Sequence, residues 1–453
     1  MVAGGTTRTA AAVERLVSAH RAFVENGAAS SPEWLRALRA EGIGRFAERG
    51  FPGTDVEEWR FTDVGPIAEI PFTVPLRRGA ARPDERDLAG LLVDGAGRSR
   101  LVFVNGRLDP GLSRLSGLPD GLRACGLAEA VALAPESVAR HLGRSDAHGL
   151  NPFAALNTAF LEDGAFVRVP EGVELAEPLQ VLYLSVPGDE PLVTHPRTLV
   201  VVERLARIAL LEVYAGVGGG LYWTNAVTEL VVDEGARADV YRVQRESERA
   251  FHVASTHARQ LRDSAVSLHS AAFGAALARH DLTALLDGEG ARCLLNGLYL
   301  GHGSQHLDHH TVVDHARPNC ESREHFNGML DDRSRGVFNG RIVVRAGAQH
   351  TDSKQSNNNL LLSEEARADS QPQLEIHADD VKCTHGATLG PIDEKALFYL
   401  ESRGIGADEG RAMLTYGFGE EIISRMDVPE LREQLDAILR RRVLGRAGRS
   451  AAS

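Results

Sequence analysis

Between residues 161 and 390 the chain reads as a long series of short strands, broken by turns that contain alanine at a recurrent, drifting interval. Apolar residues alternate or cluster at Phe166–Val169, Leu199–Val202, Ile208–Tyr214, Leu230–Val232, Val240–Val243, Leu294–Leu300, Ile342–Val344 and Leu374–Ile376. Glycine and proline punctuate them, and helical periodicity is scarce throughout, so the region is a β domain. The turns include Leu205-Ala206, Gly235-Ala236, Ser264-Ala265, Gly290-Ala291, Gly347-Ala348 and Glu365-Ala366. Their alanines are 30, 29, 26, 57 and 18 residues apart; the 57 is close to two units, with Cys320 near its midpoint. A unit of this size that repeats with loops of varying length suits a solenoid, and small residues at the corners let successive coils approach. A parallel β-helix is the natural candidate. Six coils between Ala206 and Ala366 at about 4.8 Å each would span roughly 30 Å. A β-sandwich with evenly spaced turns is the alternative that the pattern leaves open.

Helical patterns flank this region. Residues 1–160 read as a helical and mixed domain: Val13, Leu16, Val17 and His20 share helical spacing, and Trp34, Leu35 and Leu38 follow Ser31 as a candidate cap. Leu101–Val104 before Asn105-Gly106 reads as a strand entering a tight turn. Gly79–Gly97 is a charged, Gly/Ala-rich loop. Residues 391–453 read as three helices. The first is capped by Asp393 and stopped by Gly404, the second runs about Ala407–Tyr416, and the third starts near Pro429 with Leu431, Leu435, Ile438, Leu439 and Val443 on one stripe. The arginines at 440, 441, 442, 446 and 449 read as a solvated helix face and tail.

Composition excludes several classes of function. A net charge of −12 over 453 residues does not suit a surface that coats nucleic acid. The four cysteines (Cys125, Cys293, Cys320, Cys383) are dispersed without a CxxC pair, which fits a reducing cytoplasm and neither a disulfide framework nor a zinc ribbon. No signal peptide and no membrane span are expected. The only lysines are Lys354, Lys382 and Lys395, none follows a glycine, and no GxxxxGK[ST] occurs. The chain therefore binds no nucleotide through a P-loop of its own.

Chemistry concentrates in Asp379–Gly390, DDVKCTHGATLG. In an extended segment Cys383 and His385 point the same way, with Cα atoms roughly 6–7 Å apart. A thiolate and an imidazole so placed can meet one soft metal ion or sulfur species. On spacing alone, a buried cysteine beside a hydrogen-bonded histidine explains the pair as well. A second group, His302, His306, His309, His310, His315 and His325, has no standard zinc spacing; His306 and His310 would share one strand face and His309 the other. Core or surface histidines within β coils account for it. Asn357–Asn359 reads as an asparagine ladder or a turn, and adjacent carboxylates such as Asp331-Asp332 would point apart on a strand.

Several segments together resemble the SufB/SufD family of the SUF iron–sulfur cluster assembly machinery. They are GFPGTDVEEWRFTDV at 50–64, LNTAFLEDGAFVRVPEG at 156–172, HLDHHTVVDHARPNCESREHFNGMLDDRSRGVFNGRIVV at 306–344, QSNNNLLLSEEARADSQPQLEIHADDVKCTHGATLG at 355–390 and ALFYLESRGI at 396–405. The resemblance implies a right-handed parallel β-helix between N- and C-terminal helical domains. It implies a heterodimer of SufB and SufD chains, each holding one copy of the SufC ATPase, and a scaffold role without catalysis by this chain. SufC would dock on the C-terminal helices, through residues such as Leu397, Phe398, Tyr399, Leu400 and Arg403. His385, with Cys383 beside it, would lie at the interface with SufB and serve as a transient ligand of iron or of the nascent iron–sulfur cluster. A homodimer in the absence of SufB is a further expectation. Within the family, the CTHGATLG wording is similar to the SufD branch. SufB characteristically has a glutamate where this chain has Gly386, and a sulfur-accepting cysteine in a stretch that here, between Cys320 and Cys383, contains none. A β-helix carbohydrate-active enzyme is the alternative from another class; it would need clustered acidic residues on one solenoid face and usually a secretory route.

Overall fold

The computed structural model describes residues 3–26, 31–75, 83–144 and 151–450, those of 3–9 and 444–450 as backbone alone. Part of the loop read at Gly79–Gly97, and the side chains of Arg446 and Arg449, lie outside the described residues.

The alternating segments form two sheets of one solenoid. From Arg207–Gly216 onward, successive strands fall in turn into one sheet and then the other, and each pairs in parallel with the strand one coil away. The first sheet ends in Glu321–Leu330, Asp352–Leu361 and Lys382–Gly390; the second ends in His306–His315, Arg335–Val344 and Arg367–Ile376. In the first sheet Arg207, Arg237, Ala265, Arg292, Glu321, Asp352 and Lys382 lie in register, at steps of 30, 28, 27, 29, 31 and 30 residues. Parallel pairing between coils excludes the sandwich. Six two-stranded coils lie between Ala206 and Ile376, as the alanine spacing predicts.

The corner ladder differs in detail from the alanines. Backbone N–H groups at the start of each strand donate to Ala206, Ala236, Ser264, Ala291, Cys320 and Thr351 of the preceding coil. All six are buried. Serine, cysteine and threonine meet the same demand for a small side chain, so Cys320 fills the gap in the period. Ala348 sits three residues before the corner and accepts the Thr351 hydroxyl at 2.8 Å. Ala366 belongs to the opposite edge, where Arg367 N–H donates to Ser334.

The sheets reach back past the expected boundary at 161. Arg100–Val104 pairs in parallel with Leu179–Ser185, and Arg123–Gly126 pairs antiparallel with Gly164–Val169. Asn105 (φ 49°) and Gly106 (φ 83°) turn Arg100–Val104 back onto Arg107–Leu108, as the Asn-Gly pair predicts.

Helices cover both flat faces. On the first sheet, Leu211, Val213, Leu298 and Met329 pack with Ile422, Leu431 and Leu435 of the helices Ala407–Ile423 and Pro429–Ser450 and with Met426 of the turn between them. On the second, Trp223, Phe251 and Leu277 meet Phe46, Phe51, Trp59 and Phe153 from the N-terminal part. Burying each such side chain contributes about 1.5–3 kcal/mol. Asp393 caps Glu394–Ser402 through Lys395 N–H, and Gly404 (φ 86°) follows its end. Ser31 does not cap: Pro32 occupies that position before Glu33–Arg49, and the Ser31 hydroxyl accepts from Arg39.

Candidate functional site

The two ends of the solenoid differ. At one, the hairpin Arg100–Leu108 and the strand Arg123–Gly126 lie outermost; at the other, Lys382–Gly390 and Arg367–Ile376 are the outermost strands of their sheets. Register fixes which side chains look inward there. Cys383 lies against Ser353, His385 against Gln355, Ala387 against Asn357 and Leu389 against Asn359. Ser353, Gln355, Asn357 and Asn359 are all buried inside the solenoid. Cys383 and His385 therefore project on the side of the core, but at its uncovered end: Cys383 is half-buried and His385 exposed. The Cys383 thiol is pushed up by burial, which favours its protonated form.

Behind this pair the interior is polar. Gln355 Nε2 donates to Glu324 Oε2 at 2.6 Å, and Glu324 is itself buried, its carboxyl pushed up to about 7 by burial despite the nearby Thr311 hydroxyl and Gln355 amide. Leu295, Glu324, Gln355 and His385 thus form one column across four coils. The adjacent column is Cys293, Ser322, Ser353 and Cys383; its serines are 2.7 Å apart, and His315 meets Ser322 at 2.9 Å. On the opposite face of the same strands, Thr388 donates to Asn358, Asn358 to Asn327, and Asn327 to the Phe418 carbonyl of the helix Ala407–Ile423. The asparagine run is a ladder on a strand, not a turn.

The histidine-rich stretch is dispersed rather than gathered. His306 and His310 face outward, to Thr62 and Asp308; His309 faces inward, stacked on Tyr299 at 4.9 Å. His302 pairs with Glu248 and His325 with Ser356. Among the described residues no three His, Cys, Asp or Glu side chains gather as a metal site. Cys383 and His385 offer two ligands at most.

In Glu394–Ser402, Phe398 and Tyr399 are 71% and 57% exposed, and Arg403 stands over the Tyr399 ring at 5.2 Å. Leu397 is buried instead, against Gly410, and Leu400 is half-buried; these two hold the helix to its neighbour. Gln355, Glu324 and the partners of Asn358 in its ladder, Asn327 and Thr388, escaped the sequence reading. The alternation through QSNNNL carries their phase, but only pairing tells which phase faces inward.

Residues 185–418 match the family model "SUF system FeS cluster assembly, SufBD core domain", and residues 12–181 match "SufBD protein N-terminal region". The chain is 33% identical to an iron–sulfur cluster assembly SufBD family protein of Synechocystis, over 84% of each chain. It is 29% identical to the iron–sulfur cluster assembly protein SufD of Escherichia coli, over 94% of this chain and 96% of that one. To SufD of Bacillus subtilis it is 26% identical, over 91% and 94%. Among the described residues no helix is long and apolar enough to cross a membrane.

Proposed function

The chain belongs to the SufBD family of iron–sulfur cluster assembly proteins, and on that footing we propose that it is the SufD-type scaffold subunit of a cytoplasmic complex with SufB and the SufC ATPase. The observation that carries the reading is the pairing of Cys383 with His385 on an outermost strand, facing the uncovered end of the solenoid. Thiolate and imidazole are both competent iron ligands. Two ligands leave an iron of a cluster short of its set, so a second chain completes the site. The cluster is cargo here and leaves after assembly.

Two further features support the partner assignments. An outermost strand presents unpaired backbone N–H and C=O groups to an incoming strand. Pro372 interrupts the donors of Arg367–Ile376, whereas Lys382–Gly390 contains no proline. SufB therefore pairs at Lys382–Gly390. The exposed Phe398, Tyr399 and Arg403 suit docking of SufC, which hydrolyses the ATP.

Sulfur arrives on SufB. Closure of the two SufC copies on ATP pulls on the C-terminal helices, opens the SufB–SufD interface, and exposes Cys383 and His385 to iron and sulfide. Gly386 after the histidine, and the lack of cysteine between Cys320 and Cys383, favour the SufD role over that of SufB as sulfur acceptor. Co-expression with SufB and SufC tests the assignment. The expected result is a stable complex with one SufC for each SufB-type and SufD-type chain; a chain that purifies alone and ignores both would refute it.

A further inference from the structure

Resting on that reading, we propose that Gln355 is a positioning residue for His385: its Oε1 accepts the imidazole N–H, and Glu324 holds the amide in place from behind. Three observations carry it. The amide is already oriented, because its Nε2 is committed to Glu324 Oε2 at 2.6 Å. Its Oε1 is buried and accepts no hydrogen bond among the described residues, an arrangement that costs about 1–3 kcal/mol unless a donor answers it. The next position in the same column is His385, one strand spacing of about 4.8 Å away and on the same face.

The opposite sheet is shaped to leave this amide where it is. Gly340 of Arg335–Val344 faces Gln355, and a Cβ there would collide with the Gln355 amide nitrogen. When SufB covers the open end, His385 turns inward and one ring nitrogen donates to Gln355. That bond fixes the tautomer and leaves the other nitrogen, as an acceptor, to iron. Ligating histidines are commonly held through the second nitrogen in this way. Gln355 touches neither iron nor sulfide.

Three variants test the contact in the co-expressed complex, read by ferrous iron affinity and by the ring-nitrogen resonances of His385, assigned by their loss in H385A. Q355M keeps the volume and removes the acceptor; iron affinity should fall about tenfold, and the His385 tautomers should become mixed. The swap E324Q/Q355E keeps the internal hydrogen bond with its direction reversed and offers His385 a stronger acceptor. It should retain iron affinity and shift the His385 resonances. Q355M with wild-type affinity and tautomer would overturn the proposal, and so would a swap that leaves the His385 resonances unmoved, should Q355M fail to fold. Loss of clusters in H385A together with a silent Q355M would remove this inference alone. Normal clusters in H385A would remove the scaffold reading beneath it.

Discussion

Asn358 donates its side-chain amide to Asn327 Oδ1 at 3.2 Å, and through this bond the strand that carries His385 is tied to the C-terminal helices. The line runs from the Thr388 hydroxyl through Asn358 and Asn327 to the Phe418 carbonyl, with distances of 2.7, 3.2 and 3.0 Å. In the proposed closure, this line is the route by which a pull on the helix reaches Lys382–Gly390. Asn358→Ala cuts the line at its centre. Stability should fall by about 1–2 kcal/mol, complex formation and ATP hydrolysis should survive, and ATP-stimulated cluster yield should fall several-fold. Yield equal to wild type with ATP present would show that the ladder transmits nothing.

Glu324 makes stability depend on pH in a defined window. Burial pushes its carboxyl up to about 7, from 4.5 in the unfolded chain. Between these values the folded chain keeps a proton that the unfolded chain has lost. The group's contribution is therefore fully present below pH 4.5 and is lost as pH rises through 7, about 3 kcal/mol in all. E324Q has no such loss. Unfolding midpoints at pH 4.5 and pH 8 should move apart less in E324Q than in wild type, and an identical pH response would contradict the upward push that burial gives this carboxyl.

Gly340→Ala places a methyl group where the Gln355 amide lies. Overpacking at such a site costs about 1–3 kcal/mol. Because the displaced group is Gln355, the variant should also lose iron affinity as Q355M does, although Gly340 lies in the other sheet. A destabilised variant with full iron affinity would separate packing from positioning.

Asp308 anchors the N-terminal segment to the second sheet. It accepts from Arg279 at 2.9 Å and from the Thr62 hydroxyl at 2.5 Å, and it meets His310 at 3.0 Å; Trp59 lies over Arg279 at 3.6 Å. Burial alone would raise this carboxyl, but the neighbouring charges of His310 and Arg279 hold it well below the usual range. Its contribution is present above the unfolded carboxylate value and is lost only as pH falls through the depressed one. Asp308→Ala should cost about 3–5 kcal/mol and open residues 50–64 to protease. Unchanged cleavage there would show that Trp59 and its apolar neighbours suffice.

The solenoid was legible because its demands are local and repeat: small residues at corners, alternating apolar strands, and Asn105-Gly106 at a hairpin. Even so, Ser264, Cys320 and Thr351 serve as corners as well as alanine does, so an alanine count drifts and ends on Ala366, which lies on the other edge. The split of His306 and His310 from His309 followed from a period of two. What could not be read was depth. The same alternation in Gln355, Asn357 and Asn359 fits a wet face or a polar core, and only the coil above and the sheet opposite decide. Leu397 shows the limit at the helices: it reads like Phe398 as docking surface, yet one faces Gly410 and the other solvent.

The central claim is that His385 helps to build a cluster without holding the complex together. Its most direct test is His385→Ala in the co-expressed complex, with subunit stoichiometry and cluster absorbance measured on the same preparation. Assembly should match wild type while the cluster signal falls at least about tenfold, the scale of a lost ligand contact. A complex of normal stoichiometry that carries a wild-type cluster load would contradict it.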